Sequence, residues 1–491
     1  MLEYVCLIIS IFLLVCVIRM IIFLHSAFSS HSESNKISHQ LPLLSTLALQ
    51  NNGVSNHVTF NDNIISNDHS TNPSMDFTEK SNNYEIIDNE SGKMELISSG
   101  VSGDGLVPFV SIIIATNNEE DVIHRLLKSL ERLTYNREKF QVIVVDDSTD
   151  STTKILEQWT KKMLNLSVVR RKQRIGTKGG ALNLALQSLR EDSSWILVID
   201  ADTILPPDII EQFLFRVISS QNRHHVIQGY CIPYNSSIDP NYKFENWISR
   251  GIEFRLANRN MIEFVARKNL GLPVQVTGNL FMIKTSILKK LGFSTDICED
   301  WDLTLNLYLR DHGDDIVNAN VLFDETLNAR NQAPISLMSY FKQRLRVSEG
   351  HTRGFIKAIP KLMPLKQPLK NKIEIFFTGI RYLRYLLILS LIFLDFIGLF
   401  LADSNRLNDY FIISLAIQCL AASIFIVVSK LGLVICTRNA QYTFKVWMSE
   451  LILEICVSPA IVLGSLLGIF RKKGSFHKTQ RIHTNATMQV I

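Results

Sequence analysis

The chain has 491 residues, 46% hydrophobic and 20% charged, with 51 basic against 46 acidic side chains. A mean hydropathy of +0.13 is unusual for a purely soluble protein of this length and suggests apolar segments added to a globular core. The net charge of +5 is too mild to indicate nucleic acid, and the composition excludes collagen-like, coiled-coil, wholly disordered and small disulfide-scaffold classes.

Residues 1–28 read as a membrane anchor. From Leu2 to Phe28 the only formal charges are Glu3 and Arg19. That length suffices for about 30 Å of hydrocarbon at about 1.5 Å per residue. A cleaved signal would need a basic start and a small-residue cleavage site, and the opening MLEYVC has neither. Residues 29–105 turn to Ser, Asn, Asp and His without apolar periodicity, so a flexible tether is expected. None of the seven cysteines forms a C-x-x-C pair, and most lie in apolar runs, so neither a zinc site nor a disulfide framework follows.

Residues 106–356 have the texture of an α/β domain. FVSIIIAT, FQVIVVDD and SSWILVIDAD are β-branched runs ending in polar residues, and DVIHRLLKSLERL between the first two has helical spacing. Strands buried on both faces and alternating with helices predict a mostly parallel sheet with right-handed crossovers. Ligands bind beyond the carboxyl ends of such strands, where Asp146 and Asp147 follow one strand and Asp200 and Asp202 another.

Beyond a basic segment, 357–372, two transmembrane helices are expected within 373–436. A further apolar run, 437–470, carries Glu450 and Glu454 on one helical face, and 471–491 is a basic tail. Both basic segments should be cytoplasmic, which three complete crossings would forbid. The run 437–470 is therefore expected to lie in the interface, with a third C-terminal span as the rival. The catalytic region is then cytosolic in an integral membrane protein.

Five clusters could carry chemistry. Asp146-Asp147-Ser148-Thr149-Asp150 is either a helix-capping turn or a pair of acids for a nucleotide base and ribose. Lys178-Gly179-Gly180 is either a tight turn or a close approach of Lys178 and backbone amides to pyrophosphate. Asp200 and Asp202, separated by one residue, could hold Mn²⁺ or Mg²⁺ against phosphate oxygens. Glu299, Asp300 and Asp302 open a helix, where acids suit the dipole, but Asp300 could also deprotonate an acceptor hydroxyl. Gln343-Arg344-Leu345-Arg346 begins a basic amphipathic stretch.

The order ATNNEEDVI, VVDDSTD, KGGALN, DAD, VTGN, CEDWDL, QRLRVSEG and, after the last apolar run, FHKTQR resembles the family 2 glycosyltransferases, particularly their membrane-embedded, cellulose synthase-like branch. The resemblance covers roughly Phe109 to Arg481. It implies a GT-A-type nucleotide-sugar domain attached to transmembrane and interfacial helices, and metal-dependent, inverting transfer from a nucleotide-sugar. A UDP-sugar is expected ahead of a GDP-sugar.

By motif position Asp147, with Asp146, resembles the acids that read the nucleotide. Lys178 resembles the pyrophosphate contact, Asp200 and Asp202 the metal–diphosphate pair, and Asp300, beside Glu299, the catalytic base. Gln343, Arg344 and Arg346 match a motif touching donor and acceptor, and Lys478, Thr479 and Arg481 a gating segment.

Two departures matter. The family's Trp in Q-x-x-R-W is Val347, so another ring, Trp301 or Phe341, takes its place or the acceptor is not a glucan end. Thr116-Asn117-Asn118-Glu119 replaces the usual Tyr-Asn-Glu pattern and leaves uridine against guanosine open. The leading expectation is a synthase extending a β-linked polysaccharide at the membrane. The alternative is a lipid glycosyltransferase adding one sugar. A non-catalytic scaffold is disfavoured because the acids are all present, and a P-loop nucleotidase because no G-x-x-x-x-G-K-[ST] occurs.

Overall fold

The computed structural model describes residues 10–29, 84–88, 94–98, 107–172, 176–220, 223–234, 246–309, 321–334, 336–362, 364, 367–401, 412–420, 424 and 444–471. The chain divides into two compact units. One, Ser30–Val107, contains an antiparallel hairpin of β1 (Tyr84–Asp88) and β2 (Met94–Ser98), regular structure not expected in the 29–105 tether. The other joins Met1–Ser29 to Pro108–Ile491.

The second unit is built on a seven-stranded sheet of order β5-β4-β3-β6-β8-β7-β9. Its strands are β3 (Phe109–Thr116), β4 (Phe140–Asp146), β5 (Leu166–Arg170), β6 (Ser193–Asp200), β7 (Val226–Pro233), β8 (Phe281–Lys284) and β9 (Val321–Asn331). The neighbours from β5 through β4 and β3 to β6 are parallel, as is β7 with β9, while β8 is antiparallel to both β6 and β7. The sheet is therefore mostly parallel, as expected.

Apolar runs without polar alternation arise because both faces are covered. Ile113, Ile143, Val145, Ile196 and Val198 enter one core, and Val110, Ile112, Ile114, Val142, Val144 and Ile199 the other. Helices α2 (Ile123–Glu131), α3 (Thr152–Thr160) and α5 (Ile209–Ser219) cover the second face, and α4 (Lys178–Gln187) the first. In α2 the buried Ile123, Leu126, Leu127 and Leu130 fall at the spacing of one helical stripe. The chain winds from β3 outward to β5, then crosses back by α4 to β6 on the other side of β3. This reversal opens a crevice at the strand ends, the usual ligand edge of such sheets.

After β7 come α6 (Trp247–Ala257), a π-helical segment (Asn258–Phe264) and α7 (Val265–Asn269), then α8 (Thr285–Leu291) and α9 (Glu299–Leu309). Helix α10 (Leu337–Leu362) follows β9, and then α11 (Leu369–Gly379), α12 (Leu383–Leu401) and a helical stretch over 412–420, α13. The apolar run beginning at Ile373 is thus two helices rather than one span, broken where Ile380, Arg381 and Tyr382 intervene. Most of the second expected span lies outside the described residues.

The stretch expected to lie in the interface forms α14 (Phe444–Phe470), which packs along α10. Gly464 lets the two axes close up: a Cβ there would sit 2.0 Å from the Ser348 hydroxyl and 2.4 Å from the Leu345 carbonyl. Among the described residues two helices, α1 (Ser10–Ser29) and the Val446–Phe470 part of α14, are long and apolar enough to cross a membrane. Arg19 of α1 pairs with Glu374 of α11, which ties the N-terminal helix to the catalytic unit.

Candidate active site

The strand ends open into a cavity of about 1360 Å³. Asp147, Lys178, Asp200, Asp202, Glu299, Asp300, Gln343, Arg344 and Arg346, nine of the sequence candidates, all line it. Sheet register explains the first part of this convergence. Thr116 of β3 is level with Asp146 of β4, and Ala115 with Asp200 of β6, so the acids emerge on adjacent strands at one edge.

Asp146 is the exception. Its buried carboxylate faces away from the cavity, accepting hydrogen bonds from Thr153 Oγ1 at 2.6 Å, Arg170 Nη1 at 3.1 Å and the Ser148 amide at 3.0 Å. Those bonds fix the turn that presents Asp147. Asp147 in turn pairs bidentately with Arg171, whose Nε lies 2.9 Å from Oδ1. Arg171 carries no sequence signal beyond its place just after β5. The turn is also held from the β3 side, where Asn118 Oδ1 accepts from the Thr149 amide at 2.7 Å.

Lys178 is the hub of the second group. Its ammonium donates to Asp200 Oδ1 at 2.5 Å and to the Gly278 carbonyl at 2.7 Å, with Glu299 Oε1 at 3.4 Å. Burial works against the charged ammonium, but Asp200 and then Glu299 outweigh it and raise its pKa, so Lys178 is protonated. The KGG stretch opens α4. Gly179 answers to packing, since a Cβ there would lie 1.9 Å from the Ser294 carbonyl. The VTGN motif acts as a brace: Gly278 accepts from Lys178, and Asn279 Oδ1 accepts from the Asp200 amide at 3.0 Å.

Asp300 stands half-buried at the start of α9, with Oδ1 accepting from the Trp301 amide at 2.8 Å. Burial, then the charge of Glu299, push its carboxyl up to about 7, against the pull of Lys178. A carboxylate poised there can take a proton near neutral pH.

Helix α10 contributes a second wall. Tyr340, Gln343, Arg344, Val347 and His351 recur at helical spacing and all line the cavity. His351 was not among the sequence candidates, although it lies four residues beyond Val347 on that face. Its ring stacks on Trp301 at 4.2 Å and meets Tyr382 edge-on at 5.0 Å. Burial, and then Arg381, keep the imidazole neutral. Trp301 therefore reaches the cavity already stacked on a partner, and Phe341 is not among the lining residues. Val347 packs against the cluster of Ile248, Ile252, Leu453 and Val457. Lys478, Thr479 and Arg481 lie outside the described residues.

Among the described residues no group of three or more His, Cys, Asp or Glu side chains could hold a metal ion. Asp200 and Asp202 form an oxygen-only pair on one wall, which fits Mg²⁺ or Mn²⁺ if phosphate oxygens and water supply the remaining ligands.

These features agree with what the chain is similar to. Residues 111–292 match the model for Glycosyl transferase family 2. A β-monoglucosyldiacylglycerol synthase from Nostoc sp. is 42% identical over 211 residues, covering 42% of this chain and 42% of that protein. A probable glucomannan 4-β-mannosyltransferase from Oryza sativa subsp. japonica is 32% identical over 278 residues, covering 54% and 45%. The chain thus spans less than half the length of these relatives. Among solved structures, a mannosyltransferase from Pyrobaculum calidifontis in complex with GDP-Man and Mn²⁺ superposes with a TM-score of 0.51 at 18% identity, covering 76% of this chain and 90% of that one. It shares the GT-A-like fold. Residues 111–292 are thus similar to family 2 glycosyltransferase domains.

Proposed function

We propose that this enzyme transfers one sugar, with inversion, from a nucleotide-sugar to a lipid acceptor at a membrane, with its catalytic domain cytosolic. The observation that carries the reading is the continuity of the cavity. From the carboxylates at the strand ends it runs to Phe12, Val17, Ile388, Ile392 and Leu415, apolar residues of α1, α12 and α13. A donor at the polar end and an acyl chain at the apolar end would meet beside Asp300. The synthase named for glucosylated diacylglycerol supports this reading, and so does Val347, which offers no aromatic platform for a glycan. The rice relative named for glucomannan supports the rival, a processive polysaccharide synthase.

The residues act as follows. Asp147, held by Arg171, faces the nucleoside, and Lys178, Arg344 and Arg346 face the diphosphate. Asp300 accepts the proton of an acceptor hydroxyl as that oxygen attacks the anomeric carbon. The bond to the diphosphate breaks in the same displacement, so no protein nucleophile is required. Asp200 and Asp202 would hold Mg²⁺ or Mn²⁺, which when bound neutralises negative charge on the leaving diphosphate. Fixed cations in a partly dehydrated cleft serve the same end.

The test uses the full chain in lipid nanodiscs containing diacylglycerol, with UDP-glucose, UDP-N-acetylglucosamine or GDP-mannose and Mn²⁺ or Mg²⁺. A lipid carrying one sugar is expected, and a high-molecular-weight product would replace this reading with the synthase.

A further inference from the structure

The cavity has two electrostatic poles. Near the strand ends Glu119, Asp147, Asp200, Asp202, Glu299 and Asp300 outnumber Arg171, Lys178, Arg344 and Arg346. Where the cavity turns toward the apolar helices cations outnumber acids: Arg19, Arg255, Arg259, Arg381 and Arg384 line the wall with Glu263, Glu450 and Glu454, and Arg255 is paired with Glu454. Arg381 and Arg384 stand immediately before and within the first turn of α12, where the chain enters its apolar run. Arg259 lies in the π-helical segment Asn258–Phe264, whose Asn258, Ile262 and Glu263 also face the cavity. Such widened turns cost regular hydrogen bonding and are frequent at functional sites.

The carboxylates nearby are already engaged. Glu263 receives Arg381 at 2.7 Å and Arg267 at 2.8 Å, and Glu374 receives Arg267 at 2.6 Å as well as Arg19. Among the described residues Arg259 and Arg384 make no ion pair. Arg259 reaches only the side chain of Asn260, at 3.3 Å, and the ring of Phe264. Burial, followed by repulsion from Arg381, pushes its guanidinium down to about 10. Arg259 and Arg384 are thus partly buried cations on an open wall whose carboxylates Glu263 and Glu454 are spent on other arginines, and such cations favour an anion there.

The geometry points to a phosphate site formed by Arg259, Arg381 and Arg384 that holds the acceptor, which is a phospholipid whose phosphodiester docks on these arginines and whose headgroup carries a free hydroxyl. This rests on the lipid-transfer reading and narrows it, since diacylglycerol has no phosphate. The acyl chains would follow Ile388 and Ile392 along α12, and basic pockets between apolar helices commonly take lipid headgroups. The chemistry balances. The headgroup oxygen forms the new bond to the anomeric carbon, its proton passes to Asp300, and the nucleoside diphosphate leaves with the electrons of the broken bond.

The experiment measures binding by the full chain in neutral detergent micelles, using phosphatidylglycerol, diacylglycerol, glycerol 3-phosphate and UDP as separate probes. Phosphatidylglycerol should bind tighter than diacylglycerol by about ten-fold, as expected of charge-assisted contacts. Arg259→Gln and Arg384→Gln should abolish that preference while leaving UDP affinity unchanged, and Arg259→Lys should restore much of it. Equal binding of the two lipids would overturn the site. Glycerol 3-phosphate binding as tightly as the phospholipid would assign it to a soluble phosphate instead. A parallel loss of UDP affinity would return the arginines to the donor. Sugar transfer is then assayed with both lipids. Full transfer to diacylglycerol by both Gln variants would sink the phosphate site and keep the lipid-transfer reading. Arginine-dependent lipid binding without transfer to either lipid would sink that reading and keep the site.

Discussion

In the proposed reaction Asp300 is the residue on which the chemistry turns, and two consequences follow from its raised pKa. As a base it must be ionised, so kcat/KM should fall as pH drops below about 7. Asp300→Asn should lower kcat by about 10²–10⁴-fold and remove that limb of the profile, as checked by initial rates from pH 5.5 to 9. For stability the sign is opposite to that of a salt-bridged acid. The folded state binds this proton more tightly than the ordinary carboxyl of 3.8, so stability declines as pH rises from there through about 7. The Asn variant should therefore unfold no earlier than wild type at pH 8, and a lower Tm there would count against the assignment. Asp147 tests the donor pole separately. Asp147→Ala leaves Arg171 without its bidentate partner and should weaken nucleotide binding by about ten-fold or more, measured as UDP affinity with Asp300 intact.

At the scale of elements, legibility followed burial and sequence separation. FVSIIIAT and SSWILVID became β3 and β6 because runs buried on both faces have one reading at that length, and DVIHRLLKSLERL became α2 through its stripe. Asp147, Asp200, Asp202, Glu299 and Asp300 were legible as candidates sharing one edge because each ends a strand or opens a helix, and the structure gathers them around one cavity. Arg171 and His351 were not, since their place depends on partners contributed by other elements, Asp147 for one and Trp301 and Tyr382 for the other. The break between α11 and α12 was also hidden, because the apolar residues on both sides mask a turn of three residues. Packing of α14 on α10 belongs to the same class: nothing in GSLLGIF announces that Gly464 lies against Ser348. Gly464→Val should lift α14 off the wall that carries Gln343, Arg344 and Arg346. Overpacking of this kind costs about 1–3 kcal/mol, so a lower Tm together with reduced kcat is expected. An unchanged Tm would show that the crossing can open without loss.

For the whole molecule, the site is assembled from both ends of one compact unit, while Ser30–Val107 forms the other. Phe12, Cys16, Arg19 and Phe23 of α1 all do their part in the cavity wall. Arg19 in an apolar helix is costly unless paired, and its bond to Glu374 makes α1 part of the catalytic body rather than a detachable anchor. Arg19→Leu should leave Glu374 with Arg267 alone and loosen the wall at the apolar end of the cavity. Acceptor KM should then rise while UDP affinity stays fixed. An unchanged acceptor KM would show that the acceptor path does not run along α1.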